Sequence, residues 1–160
     1  MLPNNDILRR IRYVFDFDDS KMIKVCGLGG QTVTRAEISD WLKKEDDPDY
    51  KPCPDMEFIA FLNGLIIEKR GKKEGSQPPA EEHLNNNAVF RKLKIALDLQ
   101  ADEVLEIMNR AGLRLSKHEL SAFFRKPGHK HYRECKDQAL RSFLKGLQSK
   151  PDKPALNGQS

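Results

Sequence analysis

The sequence predicts an all-α protein made of two tandem four-helix repeats packed as one pseudo-symmetric body. Three observations carry this. Apolar residues recur at spacings of three and four along most of the chain, which is the period of one buried helix face. No stretch alternates apolar and polar residues long enough to read as a strand, so no sheet is expected. The chain also repeats itself: shifted by 82 positions without a gap, residues 4–65 fall on 86–147 with 15 identities in 62 positions. The phrase "YKPCPD" at 50–55 returns as "YRECKD" at 132–137, keeping Tyr, Cys and Asp. Where residues differ, apolar still meets apolar, as in Ile7/Val89, Ile11/Leu93, Ile23/Leu105, Val33/Leu115, Ile38/Leu120 and Trp41/Phe123.

Each repeat reads as four short helices. The first is expected to follow the pairs Asn4-Asn5 and Asn86-Asn87, since Asn is a good N-cap. Its apolar stripe is Ile7, Leu8, Ile11, Val14 and Phe15, matched by Val89, Phe90, Leu93, Ala96 and Leu97. The second carries Met22, Ile23 and Val25, or Val104, Leu105 and Ile107, and should end near Gly30 and Gly112. The third opens with the capping boxes Thr34-x-x-Glu37 and Ser116-x-x-Glu119, then buries Ile38, Trp41 and Leu42, or Leu120, Phe123 and Phe124. The fourth begins near Asp55 and Asp137 and buries Phe58, Phe61, Leu62 and Leu65, or Leu140, Phe143, Leu144 and Leu147. Gly64 and Gly146 fall inside this helix, where glycine costs about 0.5–1 kcal/mol relative to alanine. The expected compensation is close approach of a neighbouring helix.

The organisation that follows is a first helical repeat over 1–70, a linker over 71–85, a second repeat over 86–148 and a disordered tail over 149–160. The linker contains GKKEGSQPPAEEHL and the tail ends in SKPDKPALNGQS, both rich in Gly, Pro and polar residues. A unit of roughly sixty residues is marginal alone, so the two repeats should pack on one another.

Bulk composition narrows the function classes. The 160 residues are 38% hydrophobic and 32% charged, with a net charge of only +4, so the global electrostatic footprint for nucleic acid is weak. The 3 cysteines are an odd, scattered set, which reads as reduced cytosolic thiols and not as a disulfide framework. The opening MLPNNDILRR lacks the apolar run of a secretory signal. Phe58 to Ile67, the longest mostly apolar run without a charge, is too short to span a bilayer. A cytoplasmic protein with no membrane association is expected.

The segments "NNDILRRIRY", "WLKKED", "FLNGLIIEKRG", "NNNAVFRKLKIA", "HKHYREC" and "QALRSFLKGL" resemble the YehS-like family of bacterial proteins of unknown function. The resemblance runs from Met1 to about Ser149 and covers both repeats. It implies a bacterial cytosolic source and the two-copy architecture. It carries over no catalytic or binding residue.

Several short constellations invite chemistry. His129-x-His131-x-x-x-Cys135 offers two imidazoles and a thiol to zinc, with His118 as the nearest further ligand, but the first repeat has Asp47 and Asp49 at the imidazole positions. The reading adopted is that the shared Tyr and Cys pack the loop onto the fourth helix while Asp55 and Asp137 cap it; no metal or cofactor is expected. "GLGG" at 27–30 lacks the spacing of a phosphate loop and keeps one Gly in the second repeat, so it reads as a helix terminator. The second and third helices have the outline of a helix-turn-helix, but an αα-hairpin is the commoner reading. The third helix of the first repeat is expected to expose the mixed set Arg35, Asp40, Lys43 and Lys44. No Ser, Cys or carboxylate comes with a base at catalytic spacing.

Charge separates the repeats. Residues 117–150 hold 9 Lys or Arg against 3 Asp or Glu (9 − 3 = +6), and the equivalent 35–68 hold 4 against 9 (4 − 9 = −5). The candidate anion or nucleic-acid patch is Arg125, Lys126, His129, Lys130, His131 and Arg133, expected on one exposed loop kept out of the third helix by Pro127 and Gly128. Drift on a solvated surface and self-association between unlike faces are the other readings of the asymmetry. The function expected is a non-enzymatic cytosolic binding or adaptor protein with a protein partner. The alternative is a nucleic-acid-binding protein using the second repeat, and a homo-oligomer is compatible with both.

Overall fold

Eight helices and no strand form the described part of the computed structural model, which comprises residues 1–72 and 83–149. In the first repeat they are α1 (Asn4–Phe15), α2 (Asp19–Leu28), α3 (Arg35–Leu42) and α4 (Asp55–Arg70). In the second they are α5 (Asn86–Ala96), α6 (Ala101–Arg110), α7 (Lys117–Ala122) and α8 (Asp137–Gln148). Every helix of the second repeat starts 82 residues after its counterpart, so the ungapped offset is a structural identity as well as a sequence one. The linker over 71–85 and the tail over 149–160 fall mostly outside the described residues.

The repeated residues explain the matching boundaries. α2 and α6 end in the same double hydrogen bond: Gly30 N–H to Gly27 O with Gln31 N–H to Cys26 O, and Gly112 N–H to Asn109 O with Leu113 N–H to Met108 O. That closure needs a left-handed residue, supplied by Gly30 (φ 101°) and Gly112 (φ 87°). α1 and α5 close the same way on Asp16 (φ 53°) and Asp98 (φ 52°), which accounts for the shared Asp, a residue that enters the left-handed region more readily than most. Both expected capping boxes form. Thr34 and Ser116 hydroxyls accept from the N–H groups of Glu37 and Glu119, whose carboxylates accept from the cap N–H groups at 2.8 and 2.9 Å.

Within each repeat the second helix packs on the fourth and the third, and the glycines inside the fourth helix set how closely. A Cβ on Gly64 would lie 1.8 Å from Val25 O, and one on Gly146 would lie 2.1 Å from Ile107 O. Backbone therefore meets backbone at equivalent places, the compensation expected for glycine in a helix. Between repeats, α1 packs on α8 and α4 on α5. These two contacts exchange when the repeats are exchanged, so the interface is isologous in the manner of a two-fold dimer. The residue stripes read from the sequence form one continuous core across both repeats, with Phe58, Phe61, Phe90 and Phe143 fully buried. Val14, Phe15, Leu42, Phe124 and Leu147 sit half-buried at its margin.

Two polar groups cross the inter-repeat seam at equivalent positions. Arg10 on α1 donates to Gln148 Oε1 on α8 at 3.0 Å, and Lys92 on α5 donates to Asn63 Oδ1 on α4 at 2.6 Å. Lys92 is buried, and that burial, with the charge of Arg91 beside it, pushes its amine below the usual lysine value.

Candidate anion-binding loop

The candidate site is the loop joining α7 to α8, and its shape is set by two asparagines from the start of α5. Asn87 is buried; its Nδ2 donates to Phe123 O (3.0 Å) and Arg133 O (2.9 Å), and its Oδ1 accepts from Cys135 N–H (2.9 Å). Asn86 donates to Cys135 O (3.1 Å) and to the Asp137 carboxylate (2.7 Å). Asn5 and Asn4 repeat these bonds on the α3–α4 loop: Asn5 with Trp41 O, Lys51 O and Cys53 N–H at 2.8–2.9 Å, and Asn4 with Cys53 O and Asp55. A primary amide can donate twice while accepting, so one residue satisfies three backbone groups of an irregular loop. This is why Asn-Asn and the Tyr-x-x-Cys-x-Asp phrase recur together.

The geometry corrects the sequence reading in three places. The Asn pairs do not cap α1 and α5; the helices begin on them, preceded by Pro3 and by Asn85, whose side chain accepts from Ala88 N–H. Asp55 and Asp137 do not cap α4 and α8 either. They occupy the first helical position, and Asn86, the main cause, holds the Asp137 carboxyl below the usual carboxylate value. Asp40 and Lys43 are not freely exposed: they are half-buried and paired at 2.8 Å.

That last pair reveals what differs between the two loops. In the first repeat Asp40 takes both Lys43 (2.8 Å) and Lys51 (3.5 Å). The equivalent cations of the second repeat are Arg125 and Arg133, and the position equivalent to Asp40 is Ala122. The backbone contact persists, Arg133 N–H to Ala122 O at 3.1 Å where Lys51 N–H met Asp40 O at 3.3 Å. The carboxylate does not. Arg125, Lys126, His129, Lys130, His131 and Arg133 are all exposed, and among the described residues none of the four cations forms an ion pair. The one acid within the loop, Glu134, is bound to Lys136 at 2.9 Å. Glu119 feels Arg133 and His118, but its carboxyl is held first by the Ser116 backbone in the capping box.

The histidines replace carboxylates in the turn. Asp47 Oδ1 accepts from Asp49 N–H at 2.9 Å, and His129 Nδ1 accepts from His131 N–H at 3.0 Å. His129 is exposed, and this bond engages Nδ1 and not Nε2. His118 and His131 stack edge-on with ring centroids 6.1 Å apart. Among the described residues no group of three His, Cys, Asp or Glu is placed to hold a metal ion. Cys135 is turned away from the imidazoles, buried, with its thiol on Lys136 O. Burial pushes Cys135 and Cys26 up to about 12, and Cys53 up as well, so none is a ready thiolate. All three are free thiols. Of the "GLGG" run, Gly27 lies within α2 and Gly29 and Gly30 terminate it, so the run cradles nothing. Arg35 on α3 is held by Ser20 Oγ (2.9 Å) and Asp19 (3.7 Å), which leaves that helix without a row of free bases for a groove. No described helix is long and apolar enough to cross a membrane.

The decisive signal in the sequence was the substitution of Asp40 by Ala122, visible once the repeats are aligned. It was missed because its meaning depends on Asp40 holding Lys51, eleven residues away.

Comparison with known proteins agrees with the duplicated geometry. A family model described as "Protein of unknown function (DUF1456)" matches residues 4–71 and again 86–151. The chain is 44% identical over 147 residues to "Uncharacterized protein YehS" of Escherichia coli (strain K12), covering 90% of this chain and 93% of that protein. No solved structure matches. Two matched regions, each coinciding with one four-helix unit, show that the chain belongs to the DUF1456 family and carries its domain twice.

Proposed function

We propose that the protein is a non-enzymatic cytosolic binding protein of adaptor type, and that the α7–α8 loop is the surface it offers to an anionic partner. One observation carries this reading: Ala122 stands where Asp40 neutralises two cations in the first repeat, so Arg125 and Arg133 keep their places but not their partner. An arginine fork without an internal carboxylate is suited to bidentate capture of an external carboxylate or phosphate. The buried, protonated thiols support the non-enzymatic part, and three free cysteines suit a reducing compartment. The partner expected is a protein presenting acidic or phosphorylated side chains.

A second reading is favoured by the density of the loop: the partner is nucleic acid, held through its phosphates. Base specificity would be slight, because Tyr132 is the one Phe, Trp or Tyr among residues 125–134 and is half-buried.

The test is a capture from native lysate with and without nuclease, using wild type, an Arg125/Lys126/Lys130/Arg133 alanine variant and Ala122→Asp. Nuclease-resistant partners lost in both variants support the adaptor reading; nuclease-sensitive ones support nucleic acid. Ala122→Asp restores the internal carboxylate that the first repeat tolerates, so it should weaken binding without unfolding the loop. Partners retained equally by all three proteins would refute the assignment of the loop.

A further inference from the structure

We propose that two copies of this chain associate in solution through the α3–α4 and α7–α8 loops, the acidic loop of each copy resting on the basic loop of the other. This does not rest on the loop's having an external partner, because it requires the first repeat's loop as well as the second's.

Both loops stand at the same end of the body. Asn4 Nδ2 reaches Cys53 O at the root of the first loop (2.9 Å). Two residues earlier, Leu2 N–H donates to Asn86 Oδ1 (3.3 Å), and Asn86 Nδ2 reaches Cys135 O at the root of the second (3.1 Å). The loop roots are therefore joined through Leu2 and the two asparagines, on either side of the pseudo-two-fold axis.

Their tips have diverged in charge while their frames have not. Glu45, Asp46, Asp47 and Asp49 of the first tip correspond to Pro127, Gly128, His129 and His131, and Pro48 corresponds to Lys130. Residues 45–49 hold four acids and no base (0 − 4 = −4). Among the described residues none of those four acids forms an ion pair, and the same holds for Arg125, Lys126, Lys130 and Arg133. Each loop thus carries charges that no ion pair among the described residues neutralises.

Symmetry decides what these two patches can meet. The cations at the base of the loops are shared: Lys43, Lys44 and Lys51 answer to Arg125, Lys126 and Arg133. The difference lies in the four acids that only the first tip carries. An acidic tip and a basic loop on either side of the pseudo-axis are complementary under a true two-fold perpendicular to it. That operation lays acid on base at both places at once and closes the assembly as an isologous dimer. The other perpendicular two-fold would lay acid on acid and is repelled. Two simultaneous contacts make the second intramolecular once the first has formed, which compensates for the weakness of each exposed charge pair. The association should fall with salt. An anionic partner and the second copy would compete for the same four cations.

Sedimentation velocity without added partner tests this at about 50 and about 500 mM salt, between which the Debye length falls from about 14 to about 4 Å. Wild type should sediment as a dimer at low salt and a monomer at high salt. Two charge-reversed chains complete the test, Glu45/Asp46/Asp47/Asp49→Lys and Arg125/Lys126/Lys130/Arg133→Glu, with helical circular dichroism confirming that each is folded. Each alone should be monomeric, because both its loops then carry one sign. Mixed in equal amounts they should form a heterodimer. A wild type that stays monomeric at low salt, a dimer insensitive to salt and to both variants, or folded variants that ignore one another when mixed would overturn the proposal.

Discussion

Replacing Asn5 by Asp changes one group in the side chain and should be among the more damaging substitutions in the protein. Asn5 is 2% exposed and makes three hydrogen bonds: Nδ2 to Trp41 O at 2.9 Å and to Lys51 O at 2.8 Å, and Oδ1 from Cys53 N–H at 2.8 Å. Asn5→Ala leaves these three backbone groups without their partner. At about 1–3 kcal/mol for each buried unsatisfied group, with partial relaxation, the loss should be about 3–5 kcal/mol. Asn5→Asp retains the acceptor for Cys53 but turns a carboxylate oxygen toward two carbonyl oxygens, so at pH 7 it should lose more than alanine does. Burial and the carbonyls disfavour the anion, raising its folded pKa above the unfolded value of about 3.9. The extra destabilisation is then full above the raised folded value and shrinks as pH falls toward about 4, where the protonated acid can donate one bond. Urea unfolding at pH 7 and 4.5 measures this, followed by far-ultraviolet circular dichroism and by fluorescence of Trp41, the one tryptophan. The equivalent Asn87 variants should behave alike. An Asp variant within about 0.5 kcal/mol of wild type, against a normal total stability of about 5–15 kcal/mol, would refute the clamp. So would a deficit that does not change with pH.

Gly64→Ala and Gly146→Ala should each destabilise by about 2 kcal/mol or more despite better helix propensity, because the new methyl meets the backbone of α2 or α6. Gly27→Ala, inside α2 with nothing within 4 Å of the added Cβ, should instead stabilise by about 0.5–1 kcal/mol, and thermal melts of the three variants check both signs. Lys92→Met removes a buried ammonium whose partner is an amide, so it should be neutral or stabilising by up to about 2 kcal/mol at pH 7. Because the folded amine sits below its usual value, wild type is penalised while Lys92 is charged and relieved as pH rises toward 10.5, so the advantage of Met should narrow between pH 7 and 9.5 in denaturant titrations. The three thiols should react with an aromatic disulfide reagent only after denaturation, since burial withholds both access and the thiolate.

Much of the fold was legible because local signals agreed with one another. The offset of 82, the two capping boxes, the terminating glycines and the apolar stripes each pointed to the same eight helices. The glycines within α4 and α8 even announced a close helix contact, though not with which helix. The Asn pairs were misread because asparagine before an apolar run has a short-range meaning, whereas these amides act over 36 to 51 residues. Asp55 and Asp137 were misread for the same reason: what holds them is an amide from the first helix of the repeat. The crossed pairing of α1 with α8 and α4 with α5 left no trace in either repeat alone, since those faces are apolar whatever they pack on. The candidate patch was visible as a run of charge. Its distinguishing feature was not, because a missing carboxylate acquires meaning only beside the copy that retains it.

The claim that one scaffold carries two differently charged loops, and that the second is the working surface, is tested most directly by exchanging them. Residues 125–134 (RKPGHKHYRE) are replaced by KKEDDPDYKP from the equivalent 43–52, in a chain otherwise unchanged. Asn87 still finds its three backbone partners, so the melting temperature should stay within a few degrees of wild type. Binding to a mixed RNA pool or to a phosphorylated acidic peptide, measured by fluorescence anisotropy at low salt, should fall at least tenfold. A chimaera that folds and binds these polyanions as wild type does would show that the loop is ordinary solvated surface and contradict the account.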